Sequence, residues 1–253
     1  YRGAGTGRIS LLIIGVSELK ITILAAGRGT RMRELTEKTA KPLLSLWGRP
    51  LLEWQLLKAK EAGFSGAVIN TAHHSELFDR YAGSKVMPGL NIEISKEGED
   101  FSGALETKGG IVKALPLLSD GKEPFAVVSG DIVTAYDYRQ LRAAAEAVRC
   151  GRFDAHLVLV PNPYFKDTGD MDVREGLVYR EPKRLTYGNI AVFSPRIFEK
   201  ESAEKAPLFP WLYQFVDAGR VSGELYCGPW ANVGTPEDLA HFGRERNFAV
   251  TEA

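Results

Sequence analysis

Leu24-Ala25-Ala26-Gly27-Arg28-Gly29-Thr30-Arg31-Met32-Arg33 is the stretch on which the reading of this chain turns. It follows directly on a short apolar, β-branched run at residues 21–25, the pattern of a strand covered on both faces. Small residues and two glycines let the backbone turn sharply and bring its N–H groups against an anion, an approach that larger side chains would block. Arg31 and Arg33 add positive charge. A loop at the carboxyl end of the first strand lies where open α/β sheets hold their ligands. Two other phosphate motifs are excluded. A Walker A loop needs Gly-Lys-Ser/Thr after four intervening residues, and a dinucleotide fingerprint needs a third glycine where Met32 stands.

Working outward, residues 67–70, 91–95, 125–129 and 155–160 repeat the strand pattern, with helices predicted at 51–61, 75–81, 107–115 and 137–148. The first helix has Pro50 at its opening turn and Gly63 as its cap. Strand and helix in alternation predict an α/β fold, Rossmann-like, with a mixed, mostly parallel sheet flanked by helices. After Pro161 the rhythm changes. Short strands at 171–173, 177–180 and 187–193, then helices at 208–218 and 236–248, predict a small antiparallel extension covering one end of the sheet. Residues 20–253 form a single domain on this reading. Residues 1–19 read as a leader outside the fold, because their apolar run from Ile9 to Val16 is shorter than the roughly 20 residues needed to span a bilayer and no cleavage site follows.

Composition narrows the function classes. The chain has 253 residues, 44 % apolar and 25 % charged, ordinary values for a soluble globular protein. Lys and Arg together number 32, as do Asp and Glu, so there is no overall positive field to bind a phosphate polymer. Nucleic acid and membrane are therefore not the expected partners; small molecules are. Cys150 and Cys227 lack CxxC spacing, and with four histidines a structural zinc site is not expected, which suits a reducing, cytoplasmic location. No serine or cysteine sits in a nucleophile elbow. His73 and His74 have no companions at ligand spacing and read as loop residues.

Three further motifs carry candidate chemistry. Lys41-Pro42-Leu43-Leu44 supplies a second fixed cation close behind the glycine loop. Residues 125–131 are an apolar strand running out into Ser129-Gly130-Asp131, which places a carboxylate where it can hold Mg²⁺ against a polyphosphate. The third is Trp230-Ala231-Asn232-Val233-Gly234-Thr235-Pro236.

The glycine loop followed by Lys-Pro-Leu resembles the sugar-phosphate nucleotidyltransferase family, whose opening signature is similar to L-A-A-G-x-G-T-R-M and then K-P-L. The resemblance runs from about Lys20 to about Phe242. It implies transfer of a nucleotidyl group from a nucleoside triphosphate to a sugar 1-phosphate, with release of pyrophosphate. It divides the domain into a nucleotide-binding half, about 20–135, and a sugar-phosphate half, about 136–253. It implies that Leu24, Ala25, Gly27, Gly29, Thr30 and Arg31 bind the nucleotide. Asp131 becomes a ligand of Mg²⁺, or of Mn²⁺ in its place, and Asn232 the second, where many members carry aspartate. An amide oxygen coordinates a hard cation without adding negative charge, so a weaker or more water-rich metal site is expected. Glu34 stands where the family usually has proline.

The sugar-phosphate oxygen is already ionised near neutral pH, so the reaction needs no general base. Positioning and electrostatics must supply most of the catalysis. Arg31 is assigned to the leaving phosphates and Lys41 to the phosphates near the reacting centre, with Asp131 on the metal. Glu97 stands where related thymidylyltransferases have a glutamine facing the pyrimidine, and a carboxylate accepts from a pyrimidine N3–H, which favours uracil or thymine. Thr107 opens the next helix beside the base. Lys108 departs from the small residue usual there. On the sugar side Asp170, Asn189 and Lys205 are the candidates. In order, their segments resemble the N-acetylmuramate 1-phosphate uridylyltransferase branch, which serves peptidoglycan recycling in bacteria. The alternatives are a mannose- or heptose-1-phosphate guanylyltransferase, or a catalytically idle nucleotide-sugar sensor.

Overall fold

The computed structural model describes residues 18–98 and 103–245. The first half runs β1 (Lys20–Leu24), β2 (Ser45–Leu46), β3 (Arg49–Pro50), α1 (Leu51–Glu61), β4 (Gly66–Thr71), β5 (Asn91–Lys96), α2 (Glu106–Leu118), β6 (Phe125–Ser129), β7 (Ile132–Thr134), α3 (Gln140–Arg149) and β8 (Ala155–Pro161). The second half runs β9 (Asp172–Arg174), β10 (Leu177–Tyr179), β11 (Leu185–Phe193), α4 (Tyr213–Asp217), β12 (Val221–Leu225), β13 (Trp230–Asn232) and α5 (Pro236–Phe242). 3₁₀ turns cover Thr30–Thr36, broken by a kink at Arg33, and Ser75–Tyr81.

Nine strands form one sheet in the order β5-β4-β1-β6-β11-β8-β12-β10-β9. The first four are parallel; β11 lies antiparallel between β6 and β8, and β12 is parallel to β8. The α/β fold with a mixed, mostly parallel sheet is the one the alternation predicts. The antiparallel extension differs in placement. It does not cover an end of the sheet, because β10 and β9 pair antiparallel on the outer side of β12 and continue the same sheet. Pairing there satisfies the backbone groups that β12 would otherwise leave along an open edge.

The central strands alternate their side chains between two cores. In β6, Ala126 and Val128 join Ile21, Ile23, Leu56 and Leu141 beneath α1 and α3, while Phe125 and Val127 join Ile111, Ala114, Phe193 and Phe198 beneath α2. Each large apolar side chain fully buried there contributes roughly 1.5–3 kcal/mol. This double coverage explains why the strands read as continuous apolar runs.

Boundaries move in two places. Leu19 belongs to the fold: it is fully buried and its carbonyl accepts from the Ser65 amide at 3.0 Å. Residues 1–17 of the leader expectation, and 246–248 of the last helix, lie outside the described residues. The helix expected at 208–218 is regular only over Tyr213–Asp217. Among the described residues no helix is long and apolar enough to cross a membrane.

From β1 the chain passes outward to β4 and β5, then returns to β6 on the other side of β1. That reversal opens a crevice at the carboxyl ends of β1 and β6. The glycine loop leaves from one side of it and Asp131 from the other.

Candidate active site

At the heart of the loop, Gly29 has φ of +64°, and a Cβ there would lie 2.9 Å from Lys41 Cβ. Glycine is thus required both by the left-handed backbone and by the close pass of the lysine. Lys41 opens a 3₁₀ turn with Pro42 behind it and is buried. Its Nζ donates to Asp131 Oδ2 at 2.5 Å. Ser129 Oγ donates to the other carboxylate oxygen at 2.6 Å, and Asn232 Nδ2 reaches that same oxygen at 3.2 Å. Asn232 arrives from the far end of the chain because β13 pairs antiparallel with β7, setting Asn232 opposite Ile132.

Arg31 is exposed, and its guanidinium packs over Gly234, where an added Cβ would lie 3.4 Å from the guanidinium carbon. The Gly234 segment is fixed by a capping box at the start of α5. Asp238 accepts from the Gly234 and Thr235 amides at 2.9 and 2.8 Å, while Thr235 Oγ1 accepts from the Asp238 amide at 3.1 Å. Burial opposes the charge on Asp238, yet the hydrogen bonds from Tyr164, Thr235 and the two amides hold its carboxyl below the usual range.

These elements enclose a cavity of about 430 Å³ whose wall includes Leu24, Ala25, Gly27, Gly29, Thr30, Arg31, Lys41, Thr107 and Asp131. A second cavity of about 260 Å³ adjoins it and shares Arg31 and Asn189. Asp170 and Asn232 line the second cavity. Asp170 is held by Lys166 Nζ at 2.5 Å and by the Tyr187 amide at 3.0 Å. Asn189 reaches both cavities from an irregularity in β11, where the register with β8 shifts between Tyr187 and Ala191 and Asn189 adopts φ of +56°. Asparagine tolerates that conformation better than most residues, and bulges commonly re-aim a side chain beside a site.

Glu97 and Lys205 stand apart from this wall. Glu97 is fully buried and both of its oxygens are engaged, one by Asn70 Nδ2 and the other by the Leu105 amide at 2.5 Å. Burial pushes its carboxyl above the ordinary value, partly offset by those donors. Lys205 is exposed on a loop docked against the start of α2, where the Lys108 and Gly109 amides donate to the Ala206 carbonyl. Lys108 does not line the larger cavity. Its ammonium turns to Glu201, which also accepts from Trp211 Nε1 at 3.0 Å.

Residues 20–169 match the profile described as nucleotidyl transferase. The chain belongs to the nucleotidyl transferase family. It is 39 % identical over 222 residues to the N-acetylmuramate alpha-1-phosphate uridylyltransferase of Neisseria meningitidis serogroup B, covering 86 % of this chain and 94 % of that one. It is 32 % identical to the enzyme of the same name from Caulobacter vibrioides, covering 85 % and 91 %. In fold, a crystal structure assigned as a glucose-1-phosphate thymidylyltransferase from Bacillus anthracis superposes with a TM-score of 0.76 at 16 % identity, covering 93 % and 97 %.

In this nucleotidyl transferase the donor set for a metal is sparse. Among the described residues no group of three or more His, Cys, Asp or Glu is placed to hold an ion. Asp131 and Asn232 together offer one charge and two kinds of oxygen. That suits a hard cation arriving on a polyphosphate with its own waters better than a resident metal.

Sequence reasoning passed over Asn70, Ser129 and Lys166, all on the cavity walls. Asn70 had a signal. A polar residue near the carboxyl end of an apolar parallel strand beside β1 sits at the switch-point crevice. Lys166 had none, since its partner Asp170 lies in an irregular segment.

Proposed function

We propose that this nucleotidyl transferase joins UTP to N-acetylmuramate 1-phosphate, releasing pyrophosphate and forming the UDP-sugar. The observation that carries the reading is the Lys41–Asp131 pair in the wall of the larger cavity, which the smaller one adjoins at the shared side chains Arg31 and Asn189. The larger cavity, with the glycine loop, suits the nucleotide, and the smaller suits the sugar phosphate. The identity to two uridylyltransferases over nearly their whole lengths supports the choice of base and sugar.

In the reaction a phosphate oxygen of the sugar 1-phosphate attacks the α-phosphorus in line with the β-phosphate. A P–O bond forms there, the α–β bridge breaks, and its oxygen leaves with the pyrophosphate. The attacking oxygen carries charge already, so no proton needs to be removed. Loop amides and Arg31 hold the triphosphate. Lys41, held beside the reacting centre by Asp131, turns its ammonium to the phosphates as charge builds. Asn189 aligns the two substrates across the shared wall. Asp131 and the Asn232 amide oxygen would hold Mg²⁺, or Mn²⁺, which would supply neutralisation of charge on the triphosphate. The setting that fits is peptidoglycan recycling in a bacterial cytoplasm, with small molecules as the only partners the reaction needs.

Pyrophosphate release, measured for UTP, dTTP, GTP and CTP each with N-acetylmuramate, mannose and heptose 1-phosphates, tests the reading. UTP with N-acetylmuramate 1-phosphate is expected to give the highest kcat/KM. Preference for GTP with mannose or heptose 1-phosphate replaces it with a guanylyltransferase. Binding of a nucleotide without turnover of any pair in Mg²⁺ or Mn²⁺ replaces it with a sensor.

A further inference from the structure

The glycine loop has a second side. Behind it lies another cavity of about 430 Å³, sharing Gly27 and Thr30 with the nucleotide cavity, so the loop is a common wall. Arg28, Arg33, His73 and His74 line it, against one carboxylate, Glu37. None of these side chains has a part in the reaction as described above.

Two of the four are held in backbone conformations that side chains rarely adopt. Arg33 has φ of 52° and ψ of −131°, a kink that splits the Thr30–Thr36 segment, and His74 has φ of 54°. Thr36 Oγ1 secures the kink by donating to the Gly29 and Arg33 carbonyls at 3.1 and 3.2 Å. Residues kept in such conformations cluster at ligand sites, where the surrounding structure maintains the strain. Here the strain aims an arginine and an imidazole into one space. The existing counter-charges are distant: Arg33 meets Glu237 at 3.7 Å in a well-exposed pair, and His74 meets Glu76 at 3.8 Å.

We infer that this basic cavity is an oligophosphate subsite that receives the pyrophosphate as it leaves the nucleotide cavity. The inference rests on the nucleotidyl-transfer reading. Pyrophosphate freed on the loop has one wall to pass, and the far side offers two guanidiniums and two imidazoles with a single acid. Arg28, on the rim between Gly27 and Gly29, is placed to hand it across. Burial first, and then the neighbouring Arg28 and His74, hold the His73 imidazole below its ordinary value. A bound polyanion reverses the effect of those neighbours.

Inorganic pyrophosphate is the probe. Its binding to the full chain is measured by calorimetry for the wild type, for R28A and for H73Q/H74N, the last keeping a residue that tolerates positive φ. Pyrophosphorolysis of the UDP-sugar is measured in parallel. Losing one charge-assisted contact weakens pyrophosphate binding about tenfold or more. Each variant is expected to raise the KM for pyrophosphate by that factor and leave the KM for the UDP-sugar unchanged. Unchanged pyrophosphate binding in both variants overturns the inference. So does an equal rise in both KM values, which marks a damaged loop. If the wild type turns over no substrate pair, the proposed function fails whatever the pyrophosphate result.

Discussion

Lys41 Nζ and Asp131 Oδ2 lie 2.5 Å apart, joining the turn after the glycine loop to the end of β6 across the crevice of the sheet. Desolvation offsets much of what such a partly buried pair contributes to stability. The pair is better understood through what each partner is released to do. A triphosphate on the loop offers the lysine a more highly charged acceptor, and the freed carboxylate is then open to a cation. The pair thus keeps two reactive groups placed while the site is empty of substrate.

Asp131→Asn keeps the side chain's shape and leaves one oxygen for Lys41, while Ser129 must turn to accept from the new NH₂, and it removes the charge. We expect kcat to fall by about 10²–10³ or more at ordinary Mg²⁺, the scale of losing one preorganised electrostatic group. The thermal midpoint should move by only a few degrees. Initial rates and a melting curve check both, and unchanged turnover removes Asp131 from the chemistry.

Asn232→Asp brings a second carboxylate to within about 3 Å of the first, where the amide now donates to Asp131 Oδ1 at 3.2 Å. That hydrogen bond becomes a like-charge contact, which costs about 1–3 kcal/mol when no cation is present. A divalent cation reverses the sign. The variant should melt lower than the wild type in chelator and reach half-maximal activity at several-fold lower Mg²⁺. Activation curves and melts with and without Mg²⁺ separate the two effects; an unchanged Mg²⁺ requirement places the cation elsewhere.

How far the site was legible follows from where its information resides. The glycine loop, Lys41 and Asp131, which line one cavity, could be singled out because local chemistry marks them: glycine at positive φ, small residues where a backbone must approach, a carboxylate where an apolar strand ends. The strands of the first half were legible because burial on both faces leaves continuous apolar runs. Glu97 follows β5 at the same end of the sheet, and nothing local distinguishes a carboxylate facing a ligand from one turned inward. Its placement depends on Asn70 in β4 and the Leu105 amide. Lys205 failed to reach the site for a similar reason, since its loop is set by the Ala206 carbonyl on the amides of α2. The addition of β9 and β10 to the sheet's edge was also illegible, because edge pairing depends on which strand the fold leaves unpaired.

Glu97 makes stability depend on pH. A carboxyl that burial raises binds its proton more readily folded than unfolded. Its contribution is therefore fully present in acid and is lost as pH climbs from the ordinary value near 4.5 through the raised one. Glu97→Gln should flatten that fall. The glutamine oxygen keeps the Leu105 amide, and its NH₂ forces the Asn70 amide to turn and offer its oxygen. Glu97→Ala instead leaves two buried donors unpaired and should cost about 2–5 kcal/mol. Urea unfolding of the three proteins across the acidic to neutral pH range distinguishes the outcomes. A wild-type slope that persists in Glu97→Gln assigns it to another group.

Asn189 separates backbone from side chain most cleanly. Its φ of +56° suits glycine at least as well as asparagine, so Asn189→Gly deletes the amide that reaches both cavities without straining β11. Stability should change by less than about 1 kcal/mol, while kcat/KM falls about 10-fold or more through loss of substrate alignment. Asn189→Leu is the opposite case, since a branched apolar side chain at positive φ strains the bulge and should lower both stability and activity. Steady-state kinetics varying the sugar 1-phosphate at saturating nucleotide, with melts of both variants, make the comparison. If Asn189→Gly retains full kcat/KM, the bulge in β11 shapes the wall between the cavities through its backbone alone, and Asn189 has no part in aligning the substrates.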